Sequence, residues 1–331
     1  MDYILVTGGL GFIGSHTVVE LIQSHKNVII IDNMSTSTYS AVEGITNIVK
    51  KVPFFYKSNY ENTDVLEHIF NTYNISCVFH FAGSKAVAES VSYPLEYYQN
   101  NVVNTITLLN IMAKHGCKKI VFSSSATVYG NQPSPLTEDT PVGTGITNPY
   151  GRTKYVIELI LRDLCVSDPK WSAAILRYFN PIGAHQSGLI GENTVGTPNN
   201  LFPYLLRVAS GKYPELKVFG NDYGTPDGTC IRDYIHVTDL ARAHVATITR
   251  LSIPGMHIYN VGTGKGTSVK ELIETFEHVN HVTIPHRVVE RRVGDVPIVY
   301  ADSSKMKEEI GWEASCSVSD MCRDGYNYII R

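Results

Sequence analysis

Apolar positions along this chain fall into short blocks whose spacing alternates between strand-like runs and helix-like stripes. Tyr3-Ile4-Leu5-Val6-Thr7 is a compact β-forming run, and glycines stop it. From Ser15 to about Ser24 the pattern turns helical, with Val18, Val19, Leu21 and Ile22 supplying the apolar face. Val28-Ile29-Ile30-Ile31 is a second buried strand, and it ends at Asp32. Strand, turn, helix and strand make one βαβ unit. Two more runs, Cys77–Ala82 and Lys119–Ser123, flank a mostly helical pattern over 95–114, and a later run covers Ala173–Tyr178. Strands alternating with helices predict an α/β fold with a doubly wound parallel sheet.

After Pro181 the pattern changes. Residues 183–200 are rich in Gly, Asn, Pro and Ser and read as loops, as do 220–228 and 288–296. Short strand-like runs at 234–237 and 258–261 are expected to return to the first domain. The chain therefore divides into a nucleotide-binding domain at 1–181, rejoined near 234–262, and a smaller, loop-rich C-terminal substrate domain at 182–331.

Length and composition agree with two domains. The chain has 331 residues, 43% of them hydrophobic and 18% charged, enough to bury a sizeable core. Its 28 Lys and Arg against 31 Asp and Glu leave a net charge of −3, which lacks the basic surplus of a general nucleic-acid binder. Cys77, Cys117, Cys165, Cys230, Cys316 and Cys322 are scattered without metal-site spacing and read as reduced thiols of a cytoplasmic protein. No metal is expected. The first residues carry no basic n-region, and no apolar run approaches the roughly 18 residues of a membrane span.

Candidate chemistry begins at the first turn, Gly8-Gly9-Leu10-Gly11-Phe12-Ile13-Gly14. It satisfies G-x-G-x-x-G through Gly9, Gly11 and Gly14, and G-x-x-G-x-x-G through Gly8, Gly11 and Gly14. Missing side chains let the backbone turn tightly against a pyrophosphate, and the helix that follows offers free N–H groups and its positive end. An acid, Asp32, follows 18 residues after Gly14 at the end of the second strand. There it can accept hydrogen bonds from ribose hydroxyls and repel a 2′-phosphate, which favours NAD over NADP. Read without that context, Asp32 is a turn or helix cap.

A second constellation lies past Pro149. Tyr150 and Lys154 are four residues apart in a helical pattern and share one face. A tyrosine has a pKa near 10, and a nearby ammonium lowers it, so the pair is expected to supply a general base for a sugar alcohol. Ser125, 25 residues upstream at a strand end, can bond or relay the substrate's proton. Its neighbours Ser123 and Ser124 read as strand-end caps.

These residues together resemble the extended short-chain dehydrogenase/reductase superfamily, whose nucleotide domain is of Rossmann type. The stretches 123–130 (SSSATVYG), 176–181 (LRYFNP), 198–201 (PNNL) and 232–237 (RDYIHV) are similar to the UDP-glucose 4-epimerase family, and the similarity runs from Ile4 to about Asp302. The resemblance implies an NAD-dependent enzyme that interconverts UDP-glucose and UDP-galactose through a 4-keto sugar, and a homodimer packed through helices near 97–113 and 155–165. It implies NAD contacts at Gly8, Gly11, Phe12, Ile13, Gly14, Asp32, Asn33, Asn59, Tyr60, Phe81, Ala82, Gly83, Lys85, Asn100, Ser125, Tyr150, Lys154 and Phe179. At Asn59 many members carry aspartate.

The UDP-hexose contacts it implies are Lys85, Ser125, Tyr150, Tyr178, Asn180, Asn200, Leu201, Phe219, Arg232, Arg292, Asp295 and Val299. Arg232 and Arg292 are suited to a diphosphate, which a guanidinium grips with two parallel bonds. In this family the residue four past the Asp295 position sets the room around the hexose. Val299 is smaller than the tyrosine associated with plain hexoses, so UDP-GlcNAc and UDP-GalNAc are also expected substrates.

Three rival readings remain. A nucleotide-sugar 4,6-dehydratase needs an Asp-Glu pair after the serine, where this chain has Ala126 and Thr127. A uronate epimerase or decarboxylase fits less well at Asn180 and Asn200. A non-catalytic NAD-binding protein on the same fold typically lacks the tyrosine or the lysine.

Overall fold

The computed structural model describes residues 1–331 except 194, 195 and 293. The first half runs β1 (Asp2–Thr7), α1 (Phe12–Gln23), β2 (Asn27–Asp32), α2 (Tyr39–Val49), β3 (Phe54–Lys57), α3 (Thr63–Thr72) and β4 (Asn74–His80). It continues through α4 (Val87–Ser92), α5 (Pro94–Tyr97), α6 (Asn104–Lys114), β5 (Lys119–Ser123), α7 (Pro149–Ser167), β6 (Ser172–Tyr178) and β7 (Asn180–Ile182). The second half holds α8 (Leu201–Ala209), β8 (Leu216–Phe219), β9 (Ile231–Arg232), β10 (Tyr234–His236), α9 (Val237–Ala246) and β11 (Gly255–Val261). Last come β12 (Thr267–Ser268), α10 (Val269–Asn280), β13 (His286–Val289), β14 (Ile298–Val299), α11 (Ser304–Ile310) and α12 (Val318–Ile330).

Seven strands form one sheet in the order β11-β6-β5-β4-β1-β2-β3, and each neighbouring pair is parallel. The order steps outward in both directions from β1 and β4, so the expected doubly wound sheet is present. Side chains alternate between its faces. Val6, Ile30, Phe79 and Leu176 pack with α1 and α9, while Leu5, Ile29, Val78 and Ile120 pack with α3, α6 and α7. A third apolar cluster lies off the sheet, where Phe202 and Leu206 of α8, Leu272 and Phe276 of α10 and Met321 of α12 meet.

Several local expectations are corrected. The first helix begins at Phe12 rather than Ser15, because Gly14, which reads as loop, lies within its first turn. The helical stretch at 94–114 is interrupted by a π-helical segment at Tyr98–Val103, a feature often found beside functional sites. Val288 and Val289 are not loop: β13 pairs with β8 in parallel. The run at 258–261 does return to the main sheet as β11, but β10 instead pairs with β7 in a separate two-stranded sheet. No helix among the described residues is long and apolar enough to cross a membrane. All six cysteines are unpaired.

Candidate active site

The carboxyl ends of β1, β4, β5 and β6 lie along one edge of the parallel sheet, the edge at which such sheets bind ligands. At that edge is the glycine turn. Gly8 adopts φ +67°, and a Cβ there would sit 2.7 Å from the Ala82 amide nitrogen. A Cβ on Gly14 would lie 2.1 Å from the Gly8 carbonyl oxygen, so nothing larger than glycine lets α1 approach β1. The first turn of α1 has no side-chain cap and no acidic residue, which leaves its N–H groups available to an anion. Asp32 is buried and accepts bonds from the Leu10 and Met34 amides and the Ser37 hydroxyl, at 3.0, 2.8 and 3.0 Å. A carboxylate offers about four acceptor sites. Asp32 thus serves the structural role first and keeps capacity for one further donor. This cradle fits the pyrophosphate and ribose of a dinucleotide.

Asn33 and Asn59, both expected at the cofactor, meet through a 2.8 Å amide bond. Tyr60 is buried and donates to the Asn100 carbonyl. Asn100 in turn reaches the Ser84 hydroxyl at 2.9 Å. Phe81 and Ala82 both donate backbone N–H to the Thr7 carbonyl. Gly83 takes φ +152°, facing the Asn101 amide.

The catalytic candidates converge at the start of α7. Asn148 caps it by accepting from the Gly151 amide at 2.8 Å, and Pro149 fills the first helical position, where no N–H is needed. Lys154 is buried, donates 2.8 Å to the Ser123 carbonyl and lies 5.9 Å from the Tyr150 ring. Burial pulls its ammonium down to about 8, opposed by Glu158 one turn on. Tyr150 moves the other way from expectation. Burial and the neighbouring Tyr178 phenol lift it well above 10, with the bond to Ser125 opposing. Burial is the largest cause, so the surrounding side chains favour the protonated phenol. Ser125 also caps the turn at 126–129, accepting from the Thr127 amide at 3.2 Å.

Ser124 is not a strand-end cap. Its hydroxyl donates to Glu158 at 2.5 Å, and Glu158 forms a fully buried ion pair with Arg177 at 2.7 Å. Arg177 also bonds Tyr129 at 3.1 Å. A second buried chain links Thr7, His80, Thr105, Asn101 and Thr153, whose hydroxyl donates to the Tyr150 carbonyl at 2.7 Å. Both networks brace the catalytic candidates from below. Sequence reading missed them, since Glu158 and Arg177 look like ordinary helix and strand residues until α7 packs on β6. The one available signal was that Glu158 extends the Tyr150–Lys154 stripe by another four residues.

On the substrate side, β14 pairs with β9 and brings Val299 beside Arg232. Asp295 lies between two guanidiniums, 4.0 Å from Arg232 and 3.7 Å from Arg292. The Arg292 guanidinium sits 4.6 Å over the Phe219 ring, which ends β8. Asn180 donates its side-chain amide to the Asp233 carbonyl at 3.1 Å. Phe179 is buried and shares a small apolar cluster with Tyr129, Ala126 and Val299. Asn200 and Leu201 open α8 at the far end of the 183–200 connection. Lys85 pairs with Glu192 of that connection at 2.7 Å, a contact no spacing pattern indicated. Among the described residues no group of three or more His, Cys, Asp and Glu could hold a metal ion.

A family model described as "NAD dependent epimerase/dehydratase family" matches residues 4–262. The UDP-glucose 4-epimerase of Dictyostelium discoideum is 51% identical over 330 residues, covering 99% of this chain and 95% of the relative. The chain belongs to the UDP-glucose 4-epimerases of this family. Among solved structures, the UDP-glucose 4-epimerase of Bifidobacterium longum, in complex with NAD+ and UDP, superimposes with a TM-score of 0.95. It is 48% identical, with 99% of this chain and 98% of that one covered. The UDP-Glc/GlcNAc 4-epimerase of Campylobacter jejuni has a TM-score of 0.87 at 34% identity, covering 100% and 99% of the two chains.

Proposed function

We propose that this chain interconverts UDP-glucose and UDP-galactose by inverting C4 of the hexose, with NAD as its resident cofactor. The observation that carries the proposal is the convergence of Tyr150, Lys154, Ser125 and Tyr178 at the strand ends that also hold the glycine cradle. When bound, NAD supplies an oxidising equivalent at the sugar carbon and a positive ring charge. Gly8, Gly11 and Gly14, with the open first turn of α1, receive its pyrophosphate, and Asp32 takes a ribose hydroxyl.

With the cofactor's positive ring charge favouring the phenolate against burial, Tyr150 would accept the C4 hydroxyl proton and return it after the hexose has turned over. Ser125 bonds that hydroxyl and opposes the upward push of burial on Tyr150. Lys154 adds positive charge behind the phenol, and Glu158 keeps that charge in place. The hexose must turn over between the two proton transfers, so it is held loosely while UDP is held firmly. Arg232 and Arg292 exchange Asp295 and Phe219 for the diphosphate and the uracil side, and Asn180 lines the sugar. Binding energy from the remote nucleotide positions a weakly held reacting group. Conversion of UDP-galactose to UDP-glucose by the purified chain tests the activity, and failure with every UDP-hexose would refute it.

The same proposal includes N-acetylated sugars. Val299 packs against the cluster that holds Tyr129, Phe179 and Ala301, and at the hexose position that the family resemblance implies for it a tyrosine would take up more space. Turnover of UDP-GalNAc is expected, and Val299→Tyr is expected to abolish it while UDP-galactose is still converted. Equal use of UDP-GalNAc by parent and variant would remove Val299 as the determinant.

Assembly and location complete the proposal. The chain divides near residue 181 into a cofactor domain and a substrate domain, in support of which the α8–α10–α12 cluster is separate from the sheet. Leu95, Val103 and Ile106 are exposed on the 94–114 stretch, an apolar surface that supports a homodimer. Light scattering should give twice the chain mass. Six free thiols are in keeping with the cytoplasm.

A further inference from the structure

A pocket opens beside the first turn of α1, and its third wall comes from distant parts of the chain. Gly11 and Ser15 form one side and Ser37 of the β2–α2 loop a second. The third is made of residues 189–191, with Tyr328 of α12 behind them. The glycine turn alone cradles a phosphate from one side, and this wall adds a further side to the pocket.

The wall is fixed at several independent points. Its backbone folds back on itself through a bridge between Ala184 and Gly191. Ile190 is buried in the same cluster as Val18 and Val19 of α1. The Leu189 carbonyl lies so close over α2 that a Cβ on Gly44 would be 2.5 Å from its oxygen. From the C-terminus, Arg331 donates 2.7 Å to the Ser187 carbonyl. The Tyr328 ring rests on Gly191, where a Cβ would meet it at 2.5 Å. The next residue, Glu192, reaches across to Lys85, whose ammonium is 5.9 Å from the ring of Phe12 in the first turn of α1. Tyr328 therefore presses from outside on the residue that sets where Glu192 and the outer wall stand.

We propose that Tyr328 is a positioning residue for cofactor retention: it holds the 189–192 segment against the glycine cradle and slows escape of the dinucleotide. The inference rests on the NAD reading above. A reaction that returns its oxidising equivalent each cycle gains from a cofactor that stays, and differences in residence within one site are mostly differences in dissociation rate.

The test loads the full-length protein with NAD, dilutes it into an enzymatic NAD scavenger and assays the retained NAD over time after acid extraction. Tyr328→Ala should raise the dissociation rate at least about tenfold, and Tyr328→Phe, which keeps the ring on Gly191, should restore the parental rate. Arg331→Ala loosens the same segment from an exposed position and should raise it about threefold. The KM for UDP-galactose at saturating NAD should move less than about twofold in each, which a general loss of structure would not allow. Parental release rates in both Tyr328→Ala and Arg331→Ala overturn the proposal while leaving the cofactor reading intact. A parent that takes up no NAD at all overturns both.

Discussion

The sheet half of the molecule and its C-terminal half hold their functional residues by different means. In the sheet half, the pairings β1–β2, β1–β4, β5–β6 and β11–β6 each run over five to seven residues, and Leu5, Val6, Ile29, Ile30 and Phe79 are fully buried. The glycine cradle, Asp32, Tyr150 and Lys154 stand on that frame and are bonded or packed in place. In the C-terminal half, β9 pairs with β12 and β14 over two residues each. Its anion-binding candidates are held more loosely: Arg232 donates to the Ile231 and Pro297 carbonyls at 2.9 and 3.4 Å, and Asp295 lies 4.0 Å from Arg232 and 3.7 Å from Arg292, contacts that a ligand can replace. The difference suits the work. A cofactor that is never consumed calls for a preformed socket, whereas a substrate that enters and leaves calls for partners that exchange.

Breaking the socket should have the largest effect. Gly14→Ala places a methyl 2.1 Å from a backbone oxygen, so α1 must move off β1. The expected cost is on the order of 3 kcal/mol or more, read as a fall in Tm of at least about 5 °C with loss of bound NAD. Gly224→Ala, in an exposed turn of the C-terminal half with open space around it, should stay within about 0.5 kcal/mol. Equal losses in the two variants would erase the contrast.

Arg232→Met probes the other half. It removes a diphosphate partner without touching the cradle, so the KM for UDP-galactose should rise roughly 10- to 100-fold while NAD content is unchanged. NAD lost in step with substrate affinity would mean that the two halves are not independent.

Acid should reveal a further effect, absent at neutral pH. His16 and His80 are buried with pKa values lowered to about 3, and His244, whose α9 packs on the same sheet face as α1, is lowered to about 4, in each case by burial first. An unfolded histidine titrates near 6.5, so the folded state binds fewer protons over that interval. Stability therefore falls as pH drops from about 6.5 towards 4, by up to about 1.4 kcal/mol per pH unit for each histidine. His244 has a ring nitrogen without a partner, so His244→Leu should flatten this slope in a plot of Tm against pH. An unchanged slope would remove His244 from the account.

The same contrast governs how much the sequence discloses. Strands of the main sheet are continuous apolar runs, and β5 is read to the residue from Lys119 to Ser123. Tyr150 and Lys154 are legible because helical spacing alone puts them on one face. What escapes is whatever depends on a distant partner. β13 exists because β8 lies beside it, and Val288 carries no strand signal of its own once Gly and charged residues surround it. Glu158 with Arg177, and Lys85 with Glu192, become pairs only when the sheet and the long connection after β7 are in place. The acidity of Tyr150 is misjudged for the same reason. Spacing shows the nearby lysine but not the depth of burial that pushes the phenol up.

The central claim is that a socket built on the sheet carries out C4 inversion through Tyr150 with a cofactor it already holds. The most direct test incubates the purified chain with UDP-galactose and no added cofactor, follows the sugar nucleotides by NMR, and repeats the measurement with Tyr150→Phe. The account predicts UDP-glucose without accumulation of reduced cofactor, and turnover lowered about 10²- to 10⁴-fold in the variant at unchanged NAD content. No UDP-glucose even after NAD is supplied, or parental turnover in Tyr150→Phe, would contradict it.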